Sequence, residues 1–235
     1  MRIADRLGRL DWGAAEASLW AHGYAKLPSL LTPAECDAVV ALWDEPERFR
    51  SRVDMARYRF GVGEYRYFAA PLPPLVADLR THAYPPLAAI ADRWMAALRA
   101  PTRFPPRLDA FLARCHARGQ RQPTPLLLRY EAGGYNCLHR DLYGAVAFPL
   151  QLTVFLSRRD VDYAGGEFLL VEQRPRAQSR GEAIATEQGD SVVFATSERP
   201  VTSARGWSRV TVRHGVSTVR AGTRYTLGII FHDAT

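Results

Sequence analysis

The sequence predicts a mainly β protein. A double-stranded β-helix (jelly roll) is expected over residues 123–235, buttressed by a helical layer over 1–122, the two forming one integrated domain. Two observations carry this expectation. The texture of the chain changes near residue 123, from helical periodicity to short β-rich runs. Six such runs then follow one another with turn residues between them and no helical pattern, which argues for a sandwich or jelly roll and against βαβ units.

In the first half, Thr32-Pro33-Ala34-Glu35 is a capping box with proline at the first helical position. Ala38, Val39, Leu42 and Trp43 then recur at helical spacing, and Pro46 bounds the element. A second helix is expected after Pro73-Pro74, a third from Pro85-Pro86 to Leu98, and a fourth around Leu108 to His116. Their apolar faces are packing faces. In the second half, Leu126–Tyr130, Leu150–Leu156, Gly166–Val171, Ser191–Phe194, Arg209–Val216 and Arg224–Phe231 read as strands. Gly133-Gly134, Gly165-Gly166, Gly189-Asp190 and Ala221-Gly222 are the expected turns between them.

Composition sets outer limits. The 235 residues, 47% hydrophobic and 23% charged, have no disordered signature. No apolar run approaches the roughly 20 residues of a membrane span, so no membrane association is expected. Cys36, Cys115 and Cys137 are too scattered for a disulfide framework or zinc cluster, and the first residues lack a secretory pattern, so a cytoplasmic protein is expected. The net charge of +7 suggests an anionic partner, although Lys26 is the only lysine among 31 basic residues, a skew that genome composition also produces. Nothing in the sequence sets the oligomeric state.

The residues that carry chemistry begin with His139-Arg140-Asp141. Two residues apart on an extended segment, an imidazole and a carboxylate project to one face and offer adjacent ligands to one metal ion. Alone the triplet more often marks a surface turn. His214 lies 75 residues further on, in a predicted strand that a jelly roll can bring to the same mouth. Two histidines and one carboxylate make the facial triad of non-haem iron(II) oxygenases, which leaves metal positions open; by itself His214 also suits a structural role. Arg224 follows ten residues after His214. Deep in an apolar barrel its guanidinium needs a carboxylate, either an internal Asp or Glu or the distal carboxylate of 2-oxoglutarate.

Taken together, these residues resemble the 2-oxoglutarate/iron(II) dioxygenase superfamily, in its prolyl-hydroxylase-like form. The resemblance rests on His139-x-Asp141, then Arg213-His214-Gly215-Val216 with Val219, Gly222, Arg224 and Tyr225. Arg129-Tyr130-x-x-Gly133-Gly134, Gly165-Gly166-Glu167-Phe168 and Gly189-Asp190-Ser191 through Phe194 resemble its strand and turn signatures. It implies iron(II) on His139, Asp141 and His214, 2-oxoglutarate on Arg224 and Tyr130, O₂ as co-substrate, and ascorbate as a reductant. A narrower resemblance is to a bacterial family of oxygenases acting on damaged DNA, through Arg66-Tyr67-Phe68, Leu128-Arg129-Tyr130 and Phe231-His232-Asp233-Ala234. It implies oxidative dealkylation of alkylated bases in DNA or RNA. Leu128 and Ile230 stand where AlkB-like enzymes carry asparagine and a second arginine, so the substrate does not follow from the motif.

Between Glu47 and Phe68 arginines alternate with aromatics, as a surface for phosphates and stacked bases would; Arg57, Arg59, Tyr65 and Tyr67 are the candidate substrate contacts, and 45–70 the candidate lid. A solvated basic face with its aromatics packed inward fits the same pattern. The alternatives to nucleic-acid dealkylation are hydroxylation of a protein side chain or small metabolite, and a binding protein without turnover.

Overall fold

The computed structural model describes residues 1–141, 144–204 and 206–235. The helices are α1 (Ile3–Gly8), α2 (Trp12–His22), α3 (Pro33–Ala41), α4 (Pro74–Ala97) and α5 (Leu108–His116). Strands β1 (Tyr24–Leu27), β2 (Phe49–Asp54), β3 (Gly61–Val62) and β4 (Glu64–Phe68) precede residue 123. After it come β5 (Leu126–Glu131), β6 (Tyr135–His139), β7 (Leu150–Phe155), β8 (Tyr163–Gly165) and β9 (Phe168–Gln173). The chain finishes with β10 (Arg180–Ile184), β11 (Ser191–Ala195), β12 (Glu198–Ser203), β13 (Gly206–Val216) and β14 (Val219–Ile229).

One antiparallel sheet runs β1-β11-β7-β14-β5-β4-β2, with β8 added on β14. The other runs β10-β9-β13-β6-β3, with β12 added on β13. Side chains of both sheets line a single cavity, as the predicted jelly roll requires.

The period-2 alternation of the strands decides what faces that cavity. On β14, Leu227 and Ile229 join the apolar core under the helices, while Arg224, Thr226 and Gly228 face inward. The same parity puts Leu127 in the core and Leu126, Leu128 and Tyr130 in the cavity. On β7, Leu150, Leu152 and Val154 are core, and Gln151 and Thr153 line the cavity. Register fixes these neighbours: Arg224 of β14 pairs with Tyr130 of β5.

Three expectations need correction. The first half is not purely helical, because β1 extends one edge of the larger sheet through β11 and β4–β2 extend the other through β5. There the strand signal was hidden by long charged side chains that lie along the sheet and find partners within it. Arg52 and Arg66 both bind Glu64, at 2.5 and 2.6 Å, and Arg66 also lies over Trp43 at 4.0 Å. Within the candidate lid, therefore, β2 and β4 are strands of the larger sheet, and the stretch 55–63 between them leaves it, with Gly61–Val62 joining the other sheet as β3.

Second, Pro85 and Pro86 do not start a new helix but sit inside α4. Each removes one hydrogen bond, to the carbonyls of Thr81 and His82. Both of those residues are exposed, so water can take the freed carbonyls, and burial of Val76, Leu79, Tyr84, Leu87, Ile90 and Trp94 along one side holds the helix together. Third, Ala221-Gly222 is not a turn: it lies within β14, where the register against β8 shifts. Gly222 has φ +72° and a Cβ there would fall 2.0 Å from the Asp162 carbonyl oxygen, so the chain needs glycine for this irregularity.

The capping box at α3 forms as expected. Thr32 Oγ1 accepts from the Glu35 amide at 3.3 Å and Glu35 Oε2 accepts from the Thr32 amide at 2.8 Å. No helix among the described residues is long and apolar enough to cross a membrane.

The C-terminal segment is locked by a buried ion pair. Arg80 donates to Asp233 at 2.7 Å and to the Ile230 and Phe231 carbonyls at 3.0 Å. His232 is fully buried and its Nδ1 accepts from the Phe148 amide at 3.2 Å, so it serves the fold and not a metal. Burial and the nearby Arg80 push its pKa down to about 4. Its folded value thus lies below the unfolded one, near 6.5. The unfolded chain takes up the proton first, so the stability His232 contributes is present above about pH 6.5 and lost as pH falls towards 4. His232→Asn, which keeps an acceptor that does not titrate, should flatten the fall in melting temperature across that window; parallel curves for the two proteins would refute this.

Candidate metal and co-substrate centre

β6 ends at His139, and Asp141 follows two residues beyond it. Across the sheet, His214 of β13 is the direct partner of His139 in the antiparallel register. This pairing, not the separation in sequence, brings the two imidazoles to a centroid distance of 4.2 Å. Asp141 reaches both: Oδ1 lies 3.5 Å from His139 Nε2 and Oδ2 lies 3.2 Å from His214 Nε2. One donor atom from each of the three residues falls within 4.8 Å of the others, a set that suits one divalent ion.

The supporting contacts orient these donors. His139 Nδ1 meets the Cys137 carbonyl at 2.8 Å; a carbonyl only accepts, so Nδ1 carries the hydrogen and Nε2 presents its lone pair to the centre. Gln151 Nε2 donates to Asp141 Oδ2 at 2.9 Å and lies 3.3 Å from His214 Nε2. Burial works to raise the Asp141 carboxyl, but His214, His139 and the Gln151 amide outweigh it and hold the group well below the usual carboxylate range. Burial, together with His214, holds His139 below the ordinary imidazole value, so it is neutral as a ligand must be.

Arg224 enters the same cavity from β14 and is only 1% exposed. No Asp or Glu pairs with it among the described residues, which removes the internal salt bridge as its partner. Its Nε and Nη1 have no hydrogen-bond partner there, and the rings of Phe155, Tyr130 and Tyr163 surround the guanidinium at 5.4–5.8 Å. Gly166 makes room for it, since a Cβ at that position would lie 2.8 Å from Arg224 Cδ. A buried cation with unfilled donors is costly, and a carboxylate that accepts from the guanidinium relieves that cost. The cavity, about 440 Å³, is of a size that takes a small organic acid beside a metal.

Other predicted contacts divide. Tyr130 is buried at the cavity wall, and its hydroxyl accepts from Asn136 Nδ2 at 3.3 Å. Tyr65 and Tyr67 line the wall edge to face, 5.5 Å apart, and Arg59 lies at the mouth. Arg57 does not line the cavity; it points to Asp54 at 3.7 Å. Sequence reasoning missed Gln151, Asn136 and Tyr163. The signal for Gln151 was present as a polar residue within the apolar run Leu150 to Val154.

Residues 63–234 match the model of the Oxygenase-NA family, described as "Oxygenase, catalysing oxidative methylation of damaged DNA". The chain belongs to this family. The match takes in the whole triad and Arg224. A Mycobacterium tuberculosis protein described as uncharacterized is 47% identical over 204 residues, covering 81% of this chain and 88% of its own length. Among solved structures, an oxidoreductase of the 2OG-Fe(II) oxygenase family from Burkholderia pseudomallei superposes with a TM-score of 0.58 at 16% identity, over 97% of this chain and 93% of that one. A Pseudomonas putida prolyl-4-hydroxylase gives 0.53 at 14% identity, over 95% and 99%. This Oxygenase-NA protein therefore has the fold of the 2-oxoglutarate/iron(II) oxygenases. Its cavity supplies a donor set suited to iron(II) and a guanidinium suited to 2-oxoglutarate, the co-substrate that pairs with O₂ in such enzymes.

Proposed function

We propose that His139, Asp141 and His214 hold iron(II), that Arg224 and Tyr130 hold 2-oxoglutarate, and that the enzyme oxidises an alkyl group on a damaged nucleic-acid base. The observation that carries the proposal is that the three ligand residues and an unpaired buried guanidinium open into one cavity. The nucleic-acid part is supported by the family description and by the cationic and aromatic residues at and around the mouth.

Each residue has a definite task. His139, Asp141 and His214 would hold the metal, each through one donor atom, at the wall of the cavity that would take the co-substrate. Arg224 binds the distal carboxylate of 2-oxoglutarate through its guanidinium, which has donors unfilled in the cavity, while the Tyr130 hydroxyl, its pKa raised to about 12 by burial, remains a neutral hydrogen-bonding group. Phe168, Phe194 and Leu128 keep the remaining wall apolar, which excludes water from the reacting carbon. Tyr65 and Tyr67 offer ring faces and edges to a base inside, and Arg59 meets phosphate at the mouth; Arg57, turned to Asp54, has the weakest claim among the candidates. The stretch 55–63 takes the part of the lid. When bound, iron supplies O₂ activation coupled to decarboxylation of 2-oxoglutarate, with ascorbate able to keep the metal reduced.

For an N-methyl group the balance is R₂N–CH₃ + O₂ + 2-oxoglutarate giving R₂NH, formaldehyde, succinate and CO₂. Oxidation of the C–H bond makes an unstable hemiaminal, so the net effect is removal of the methyl group. A cytoplasmic setting suits three unpaired cysteines.

The test is succinate formation by purified protein with iron(II) and 2-oxoglutarate, screened against alkylated oligonucleotides and against peptides. Stimulation by an alkylated oligonucleotide, with one aldehyde released per succinate, is expected. Turnover on a peptide and on no alkylated oligonucleotide would reject the nucleic-acid part.

A further inference from the structure

We infer that Tyr58 and Phe60, with Arg59 and Arg140, form a base-stacking platform at the cavity mouth that selects an unpaired strand over intact duplex. This rests on the nucleic-acid function proposed above and adds the form of the substrate.

The platform is unusual in being outside. Tyr58 is 60% exposed and Phe60 45%, and their rings stack on each other at 5.5 Å with an interplanar angle of 20°. Leu138 and Tyr135 of β6 are exposed as well, so the apolar surface continues from the turn onto the strand that carries His139. Aromatic surface left in water beside a ligand cavity marks a contact site.

The turn that presents the rings is anchored. Met55 is buried in a small core with Tyr130, Tyr163, Val216 and Val219. Arg59 adopts φ +60°, reversing the chain between the two aromatics. The Phe60 carbonyl then accepts from the Cys137 amide at 2.8 Å, and Gly61-Val62 pair with Asn136 and Tyr135. The platform is thus hydrogen-bonded to the same strand that positions a metal ligand, and its place relative to the cavity is fixed.

Charge selects the occupant. Arg59 and Arg140 line the mouth and have no ion-pair partner among the described residues. Nearby Arg52, Arg57 and Arg129 are matched by Glu64, Asp54 and Glu131. Two unmatched cations beside exposed rings suit a polyanion with accessible π faces. Duplex shows phosphates but hides its base faces, whereas an unstacked strand offers both. One base can then enter the cavity while a neighbour stacks on the platform.

The experiment is a fluorescence-anisotropy salt titration of the iron- and 2-oxoglutarate-loaded full chain, without O₂. The probes are an unmodified oligothymidylate and a blunt duplex of equal length. The strand is expected to bind at least about tenfold tighter than the duplex. Tyr58→Ala and Phe60→Ala should each weaken strand binding roughly 5- to 150-fold with the salt slope unchanged, since stacking carries no charge. Tyr58→Trp should retain binding, and Arg59→Ala with Arg140→Ala should flatten the slope by about 0.7 for each lost phosphate contact. Melting curves check that the exposed substitutions leave the fold intact. Equal affinity for strand and duplex, or unchanged strand binding in folded Tyr58→Ala and Phe60→Ala proteins, would overturn the platform alone if alkylated oligonucleotides are still turned over. No binding of either probe and no turnover of alkylated strands would overturn the platform and the nucleic-acid function together.

Discussion

Asp141→Ala should abolish 2-oxoglutarate turnover. Asp141 is the carboxylate within reach of both His139 and His214, at 3.5 and 3.2 Å, so in the proposed site its loss would leave two imidazoles and no negative charge to hold a dication. The expected fall exceeds about 100-fold, the upper end of what losing a merely supporting contact to a metal ligand costs. Alanine also leaves the Gln151 amide without its acceptor, at a cost of about 1–3 kcal/mol of stability. Asp141→Asn separates the two effects, because it keeps the shape and an acceptor but removes the charge. Both variants should lose bound iron, read by metal analysis after desalting, and only the alanine variant should melt lower. Full turnover by either, with iron and 2-oxoglutarate near saturation, would dismiss Asp141 as a ligand.

Arg224→Met should raise the 2-oxoglutarate requirement while leaving iron affinity nearly unchanged. Removing one partner of a buried, hydrogen-bonded charge pair costs on the order of 2–5 kcal/mol, or roughly 30-fold to several thousand-fold in affinity. Arg224→Lys should fall between, since it keeps the charge but not the planar fork. The unliganded protein gives an independent readout of opposite sign. There Nε and Nη1 of Arg224 are buried without partners, and burial lowers the guanidinium pKa, so the native residue is a burden on the fold. Apo Arg224→Met should therefore melt no lower than wild type. A large loss of apo stability together with an unchanged 2-oxoglutarate requirement would make Arg224 a structural residue.

The parts legible in the sequence were those encoded by short-range pattern. The His139-x-Asp141 triplet is local, and the strands around His214 and Arg224 alternate clearly, so three ligand candidates and the guanidinium could be named. What the sequence did not reveal was cross-strand pairing. The His139–His214 register, the Gln151 contact to Asp141 and the Asn136 contact to Tyr130 all join segments whose meeting depends on the whole sheet. β2 and β4 escaped because Arg52 and Arg66, which share Glu64 while Arg66 also lies over Trp43, look like solvent-facing residues in a one-dimensional reading. Pro85 and Pro86 misled for a similar reason: their effect depends on Thr81 and His82 facing water, which only packing decides. The exposed Tyr58–Phe60 pair lay inside a segment already marked as aromatic and basic, but which of its rings turn inward was set by the register of β4 on β5.

In the proposed site one molecule of 2-oxoglutarate is held at two ends, by a metal on His139, Asp141 and His214 and by Arg224. The most direct measurement is an oxygen-free calorimetric titration of 2-oxoglutarate into the protein with and without iron(II). One binding event per chain is expected, strong with iron and markedly weaker without it, with Arg224→Met reducing the affinity in both cases. Identical binding of 2-oxoglutarate in the presence and absence of metal would rule out a metal-held co-substrate.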